Sequence, residues 1–152
     1  MLCYRISRKK YAGSLSGEGA KRYGGRWNSV GTPIIYAAAT SSLAMLEILV
    51  HVNVDLLPDD YQLITIEIPD NGIAPSVSIT DLPIDWGSNP FMKATKQLGD
   101  AFYKDGAYLA LSVPSAVNRT DTNILINPDH VDFKQLKIVD TRLIVFDERL
   151  FK

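Results

Sequence analysis

The stretch "GGRWNSVGTPIIYAAATSSLAMLEILVH", Gly24 to His51, holds a loop, a turn, a strand and a helix in that order. Two glycines let the backbone approach a neighbour or a ligand closely, at an entropic cost. The Arg26–Trp27 pair then supplies a planar cation beside a flat aromatic surface. Gly31–Pro33 reads as a turn, and "PIIYAA" after it as a short strand with β-branched residues. "TSSLAMLEILVHV" reads as a helix with Thr40 or Ser41 as N-cap. Leu43, Ala44, Met45, Leu46, Ile48, Leu49, Val50 and Val52 cover nearly its whole circumference, as in a buried helix. Glu47 sits at its centre, with His51 one turn later on the same face. An acid is almost never buried without a partner. Glu47 therefore pairs with an arginine, lies on an exposed helix face, or lines a cavity.

Working outward, "LCYRI" is a strand candidate and "KKYAGSLSGEGAKRYGG" a long glycine-rich loop with room for a helical turn. "YQLITIEIP" alternates, with Gln62, Ile64, Ile66 and Ile68 on one face and Tyr61, Leu63, Thr65 and Glu67 on the other. "PSVSIT" is a further strand candidate. "NPFMKATKQLGDAFYKDG" reads as a helix opening near Pro90 and stopping before Gly106. "AYLALSVPS", "NILINP", "LKIVD" and "RLIVF" complete the strands. Strands outnumber helices and do not alternate with them regularly. The expected fold is α+β: one domain over residues 1–152, a mixed or antiparallel sheet core, and few helices.

Composition bounds the function. The 152 residues are 46% hydrophobic and 22% charged, which fits a single globular domain. A chain of this size buries roughly 70% of its unfolded surface. Cys3 is the only cysteine, so no internal disulfide forms. With no secretory leader and no apolar run near the roughly 20 residues of a membrane helix, the expectation is a cytoplasmic protein without membrane contact. The net charge of −1 hides an asymmetry: Met1 to Arg26 holds seven bases against one acid, and Trp27 to Met92 holds eight acids and no Lys or Arg. That distribution suggests an anion site built from the first segment, or a solvated basic loop lying on an acidic face. A nucleic-acid-binding arm is the competing class, with "GGR" as its loose signature, but the overall pI of about 6.1 argues against it.

Several templates are absent. There is no GxxxxGK[ST] loop, no GxGxxG after a strand, and no GxSxG elbow. A Cys3–His nucleophile pair has no local support. A metal site on Glu47 and His51 needs further ligands, and the other histidine is His130, so no metal is expected.

The span "SGEGAKRYGGRWNSVGTPIIYAAATSSLAMLEILVH", followed by "SVPSAV", "NILINPDHVDF" and a terminal "FDERLF", resembles the RES domain family. The motifs fall in the family's order across nearly the whole chain. The resemblance implies a fold similar to that of ADP-ribosyltransferases and a toxin of a RES–Xre toxin–antitoxin pair. It implies that NAD is consumed as a substrate, with no cofactor held. It also implies an Xre-like DNA-binding antitoxin as partner in a hetero-oligomer, and no direct contact with nucleic acid. The family is named for Arg, Glu and Ser; carried over, these are Arg26, Glu47 and Ser115. Tyr36 and Arg5 match two more family positions.

The chemistry of NAD suits these residues. Breaking the nicotinamide–ribose bond builds positive charge on the ribose, as in glycoside cleavage. A carboxylate such as Glu47 stabilises that charge. Arg5 and Arg26 suit a pyrophosphate, and Tyr36 offers a face on which nicotinamide can stack. Ser115 is assigned a ribose or carboxamide contact, or alternatively a turn after Pro114. The candidate catalytic residues are thus Arg26, Tyr36, Glu47 and Ser115. Arg5, Asn28 and Asn127 are the candidate substrate-binding residues, although each asparagine can instead close a turn through side-chain-to-backbone bonds. Trp27 is expected to anchor the loop in the core. The expected activity is NAD cleavage by water or phosphate; the alternative is mono-ADP-ribosyl transfer to a protein or nucleotide.

Overall fold

In a computed structural model, which describes residues 1–53 and 56–151, strands β1 (Leu2–Arg8), β2 (Ile35–Ala38), β3 (Tyr61–Glu67), β4 (Ala110–Pro114), β5 (Thr122–Ile126) and β6 (Lys137–Leu143) form one sheet. Its order is β4-β5-β2-β1-β3-β6 and every neighbouring pair is antiparallel. Among the described residues three α-helices accompany it: α1 (Glu18–Tyr23), α2 (Ser41–Leu49) and α3 (Lys93–Asp105). This is the expected α+β architecture, with the sheet resolved as antiparallel. Val54, Asp55 and Lys152 of the expected 1–152 domain lie outside the described residues. No helix among the described residues is long and apolar enough to cross a membrane.

The alternation in β3 sorts the core. Ile64, Ile66 and Ile68 are buried with Cys3, Ile35, Ala37, Ile124 and Ile126 on one face. On the other face Tyr61 packs with Ile6, Ala38, Phe146 and the α2 residues Leu43 and Ala44. A third cluster joins Trp27, Ile34 and Trp86 to Leu111, Val113 and Leu125. The Thr40 hydroxyl accepts from the Leu43 amide at 3.1 Å, capping α2 as expected.

Strand β1 pairs with β3 along its whole length, but meets β2 at a single rung, Tyr4 opposite Ala38. Beyond that rung the two halves of the sheet part.

Three expectations fail. "PSVSIT" is not a strand. Ala74 and Val77 donate to the carbonyls of Ala110 and Ser112 on the outer edge of β4, but Pro75 between them has no N–H to continue a ladder. Ser78 then caps a 3₁₀ turn over Ile79–Asp81. Helix α3 opens at Lys93 rather than near Pro90, because Phe91 lies under the Arg26 guanidinium, 4.7 Å from ring centre to Cζ. "LKIVD" and "RLIVF" are not two strands. One strand, β6, runs to Leu143; the chain then leaves the sheet and Phe146 turns inward to meet Tyr61 edge-on at 6.1 Å.

Candidate active site

A cleft of about 740 Å³ opens where the sheet parts. Arg5, Arg26, Tyr36 and Glu47, four of the residues singled out from the sequence, line it together with Asn123 and Phe91.

Glu47 projects from α2 into the cleft, which Ala38 and Ala44 also line. Its Oε1 accepts two hydrogen bonds, from Ser115 Oγ at 2.8 Å and from Asn123 Nδ2 at 2.6 Å. Among the described residues Glu47 makes no ion pair, so the buried Glu–Arg alternative is not what the fold builds. Ser115 is 0% exposed. Its Oγ accepts from the amides of Val117 and Asn118, both at 3.1 Å, while donating to Glu47. The turn and the carboxylate thus share one hydroxyl, and Ser115 sits behind Glu47 rather than facing a ligand. The β4–β5 hairpin that carries it is tied to the start of α2 through Thr40 Oγ1 and Asp121 Oδ2 at 3.0 Å.

Arg26 is held from the opposite wall. Its Nη1 donates to the carbonyls of Trp86 at 2.9 Å and Ser88 at 3.0 Å, and its plane lies over Phe91. Burial pulls its pKa below the ordinary value, and the nearby Glu47 carboxylate works the other way, favouring the charged form. Arg5 stands where β1 and β2 separate. Its Nη1 donates to the Tyr36 carbonyl at 2.8 Å. Among the described residues it has no acidic partner, and burial lowers its pKa. Two arginines with spare donors and no carboxylate salt bridge are what an anion requires.

The rest of the N-terminal basic segment does not form one patch. Arg8 pairs with Asp60, and Lys21 lies 3.9 Å from Glu18.

Tyr36 bridges the cleft and the loop. Its hydroxyl accepts from the Trp27 amide at 3.1 Å and donates to Asn28 Oδ1 at 2.6 Å, and burial pushes its pKa up. Gly25 is required by this contact, since a Cβ there would lie 2.7 Å from the Tyr36 hydroxyl oxygen.

Two of the candidate substrate-binding residues are corrected. Asn28 is fully buried, and its Nδ2 contacts the carbonyls of Ala20, Ser29 and Thr32 at 2.8–3.1 Å. With Oδ1 accepting from the Tyr36 hydroxyl, both ends of this buried amide are engaged by the fold. Asn127 is likewise buried, bonded to the Tyr103 carbonyl at 3.2 Å and the Asp129 amide at 3.0 Å, and does not line the cleft. The turn-closing alternative holds for both. Trp27 anchors the loop as expected, 6.0 Å from Trp86 ring to ring. Helix α3 presses so closely on it that a Cβ on Gly99 would fall 1.7 Å from the Trp27 carbonyl oxygen.

Asn123, Phe91 and the carbonyls of Trp86 and Ser88 were not singled out from the sequence. Carbonyls carry no sequence signal. Asn123 did carry one: an amide inside a strand, directly before the apolar run Ile124 to Ile126. Among the described residues no group of three or more His, Cys, Asp or Glu is placed to hold a metal ion. His51 lines the cleft mouth, one turn beyond Glu47.

An antiparallel sheet split over a cleft, with a braced glutamate facing two arginines, defines a class that comparison with known proteins makes specific. The RES domain model matches residues 2–147. A "Toxin Res" of Photorhabdus laumondii is 40% identical, over 100% of this chain and 98% of its own length. The "Prs ADP-ribosylating toxin" of a Sphingobium species is 39% identical, over 93% of this chain and 89% of its own. The chain belongs to the RES domain family, and within it resembles proteins named as toxins from end to end. The toxin–antitoxin complex MbcT–MbcA of M. tuberculosis contains a chain of the same fold, with a TM-score of 0.76 at 22% identity, covering 95% of this chain and 84% of that one.

Proposed function

We propose that the chain is a toxin that cleaves the nicotinamide–ribose bond of NAD. The observation that carries this reading is the Glu47 carboxylate, fixed by two neutral donors and facing Arg5 and Arg26 across one cleft. In the reaction the C1′–N bond breaks and its electron pair stays on nicotinamide, which leaves neutral. The positive charge passes to the ribose ring, where Glu47 stabilises it. Arg26 and Arg5 hold the pyrophosphate, and the Tyr36 ring packs against nicotinamide. Water or phosphate then bonds to C1′ and gives up a proton. Ser115 acts through Glu47, keeping it in place.

A second reading shares the first half of this reaction and transfers ADP-ribose to a macromolecule. The ADP-ribosylating relative from Sphingobium favours it. The partner we propose is an Xre-like antitoxin that closes the cleft, consistent with the fold's occurrence in a toxin–antitoxin complex. An acidic or carboxylate-bearing segment is the complement of Arg5 and Arg26.

Incubation with NAD should release free nicotinamide. The ribose-bearing product distinguishes hydrolysis, phosphorolysis and transfer. Expression alone should arrest growth, and co-expression with the antitoxin should restore both growth and NAD. Normal growth with folded chain present would overturn the toxin reading.

A further inference from the structure

We propose that Asn123 is a positioning residue that, with Ser115, selects which oxygen of Glu47 meets the substrate; this rests on the NAD-cleaving reading. Its position on the sheet is the starting point. Asn123 pairs with Ala38 on one side and Val113 on the other, and Leu125, two residues on, is fully buried. Asparagine is disfavoured in a strand, and this one stands second in β5, paired with a strand on either side and directly before the buried apolar run Ile124 to Ile126. A local rule broken inside a well-formed element marks a functional demand.

The geometry shows the demand. Asn123 Nδ2 and Ser115 Oγ both donate to Oε1 of Glu47, at 2.6 and 2.8 Å. Oε2 takes no hydrogen bond from the described residues. A carboxylate free to rotate would present either oxygen, or turn away to the solvent. Two donors converging on one oxygen fix the plane of the group and leave the other oxygen for an occupant of the cleft. The donors differ in placement: Ser115 is sealed behind Glu47, whereas Asn123 lines the cleft itself. Both are neutral, so they orient the carboxylate without cancelling the negative charge that the ribose needs. An arginine in either position would orient it equally well and weaken that charge.

The test is nicotinamide release by the full chain, its Asn123→Ala and its Asn123→Asp variants, with kcat and KM followed across pH and thermal unfolding measured alongside. Asn123→Ala should lower kcat on the order of tenfold or more, leave KM for NAD within about twofold, and melt close to the parent. Asn123→Asp sets a second carboxyl against Glu47, and the pair shares one proton. While that proton is held, the introduced carboxyl donates to Oε1 as the amide did, and Glu47 keeps its charge. As pH rises the proton is lost, the donor disappears and the two charges repel. This variant should therefore gain a falling alkaline limb that the parent and Asn123→Ala lack. A residue that merely props the strand would give a loss independent of pH.

Asn123→Asp is nearly isosteric and carries the test alone if Asn123→Ala does not fold. A folded Asn123→Ala with kcat within threefold of the parent, or an Asn123→Asp profile shaped like the parent's, overturns the assignment while leaving NAD cleavage standing. A parent chain that releases no nicotinamide overturns the underlying reading and this role together.

Discussion

Two polar knots lie on either side of the cleft, and they are wired oppositely. The knot around Asn28 is closed. Its amide nitrogen serves three carbonyls, its oxygen takes the Tyr36 hydroxyl, and that hydroxyl in turn takes the Trp27 amide. The knot around Glu47 is open. Two donors converge on Oε1, and Oε2 remains without a protein partner among the described residues. A buried polar group with every donor and acceptor used holds the backbone in shape. One with surplus capacity, aimed into a cavity, has been kept for a ligand. The contrast separates architecture from chemistry among residues that look equally polar in the sequence.

That separation can be broken by substitution. The largest effect is expected at the open knot. Glu47→Gln keeps size and hydrogen bonding but removes the charge, so turnover should fall by roughly 100-fold or more while the melting temperature stays near the parent's. A variant that melts normally and releases nicotinamide at the parental rate would take Glu47 out of the mechanism.

At the closed knot the signs reverse. Asn28→Ala takes the amide donor from three carbonyls, of which those of Ala20 and Ser29 keep a backbone N–H, and takes the acceptor from the Tyr36 hydroxyl, which should cost about 2 kcal/mol of stability in denaturant unfolding. If the variant instead unfolds like the parent but loses NAD binding, Asn28 touches substrate and the closed-knot reading fails.

Arg26→Lys sharpens the comparison from the facing wall. The lysine keeps a charge but loses both the fork and the plane that rests on Phe91. KM for NAD should rise about tenfold, and equal activity would make Arg26 a structural residue. The smallest effect is expected for Tyr36→Phe. It retains the ring and forfeits the hydroxyl that accepts from the Trp27 amide and donates to Asn28, for about 1–2 kcal/mol of stability with nicotinamide release little changed. A large loss of kcat without a loss of stability would give the hydroxyl a chemical role.

Much of this was legible in the sequence wherever a local pattern decided the outcome. The Thr40 cap and the alternation in β3 follow from capping chemistry and periodicity, but the expectation of a helix buried all round does not hold for α2, which buries only Leu43 and Ala44 and leaves Leu46 and Val50 exposed. The positions of Arg5, Arg26, Tyr36 and Glu47 around one cleft follow the family motif. What was not legible depends on contacts far apart in the chain. The helix start at Lys93 is displaced by Phe91 packing on an arginine 65 positions earlier (91 minus 26). Asn28 and Asn127 look alike as exposed-type amides, and only their partners reveal them as braces. Asn123 was missed for the opposite reason: it sits in a strand, where attention goes to the apolar neighbours.

The single rung between β1 and β2 has a consequence for measurement. With Tyr4 opposite Ala38 as the one pairing between the halves of the sheet, an occupant that reaches from Arg5 to Asn123 acts as a clasp across a seam. It binds only when both halves are folded, so its binding energy is added to the fold by mass action, about 2.7 kcal/mol at a hundredfold excess over Kd. The melting temperature then becomes a gauge of cleft occupancy that needs no turnover. A non-hydrolysable dinucleotide and an antitoxin segment that fills the same space should raise it and compete with each other for the effect.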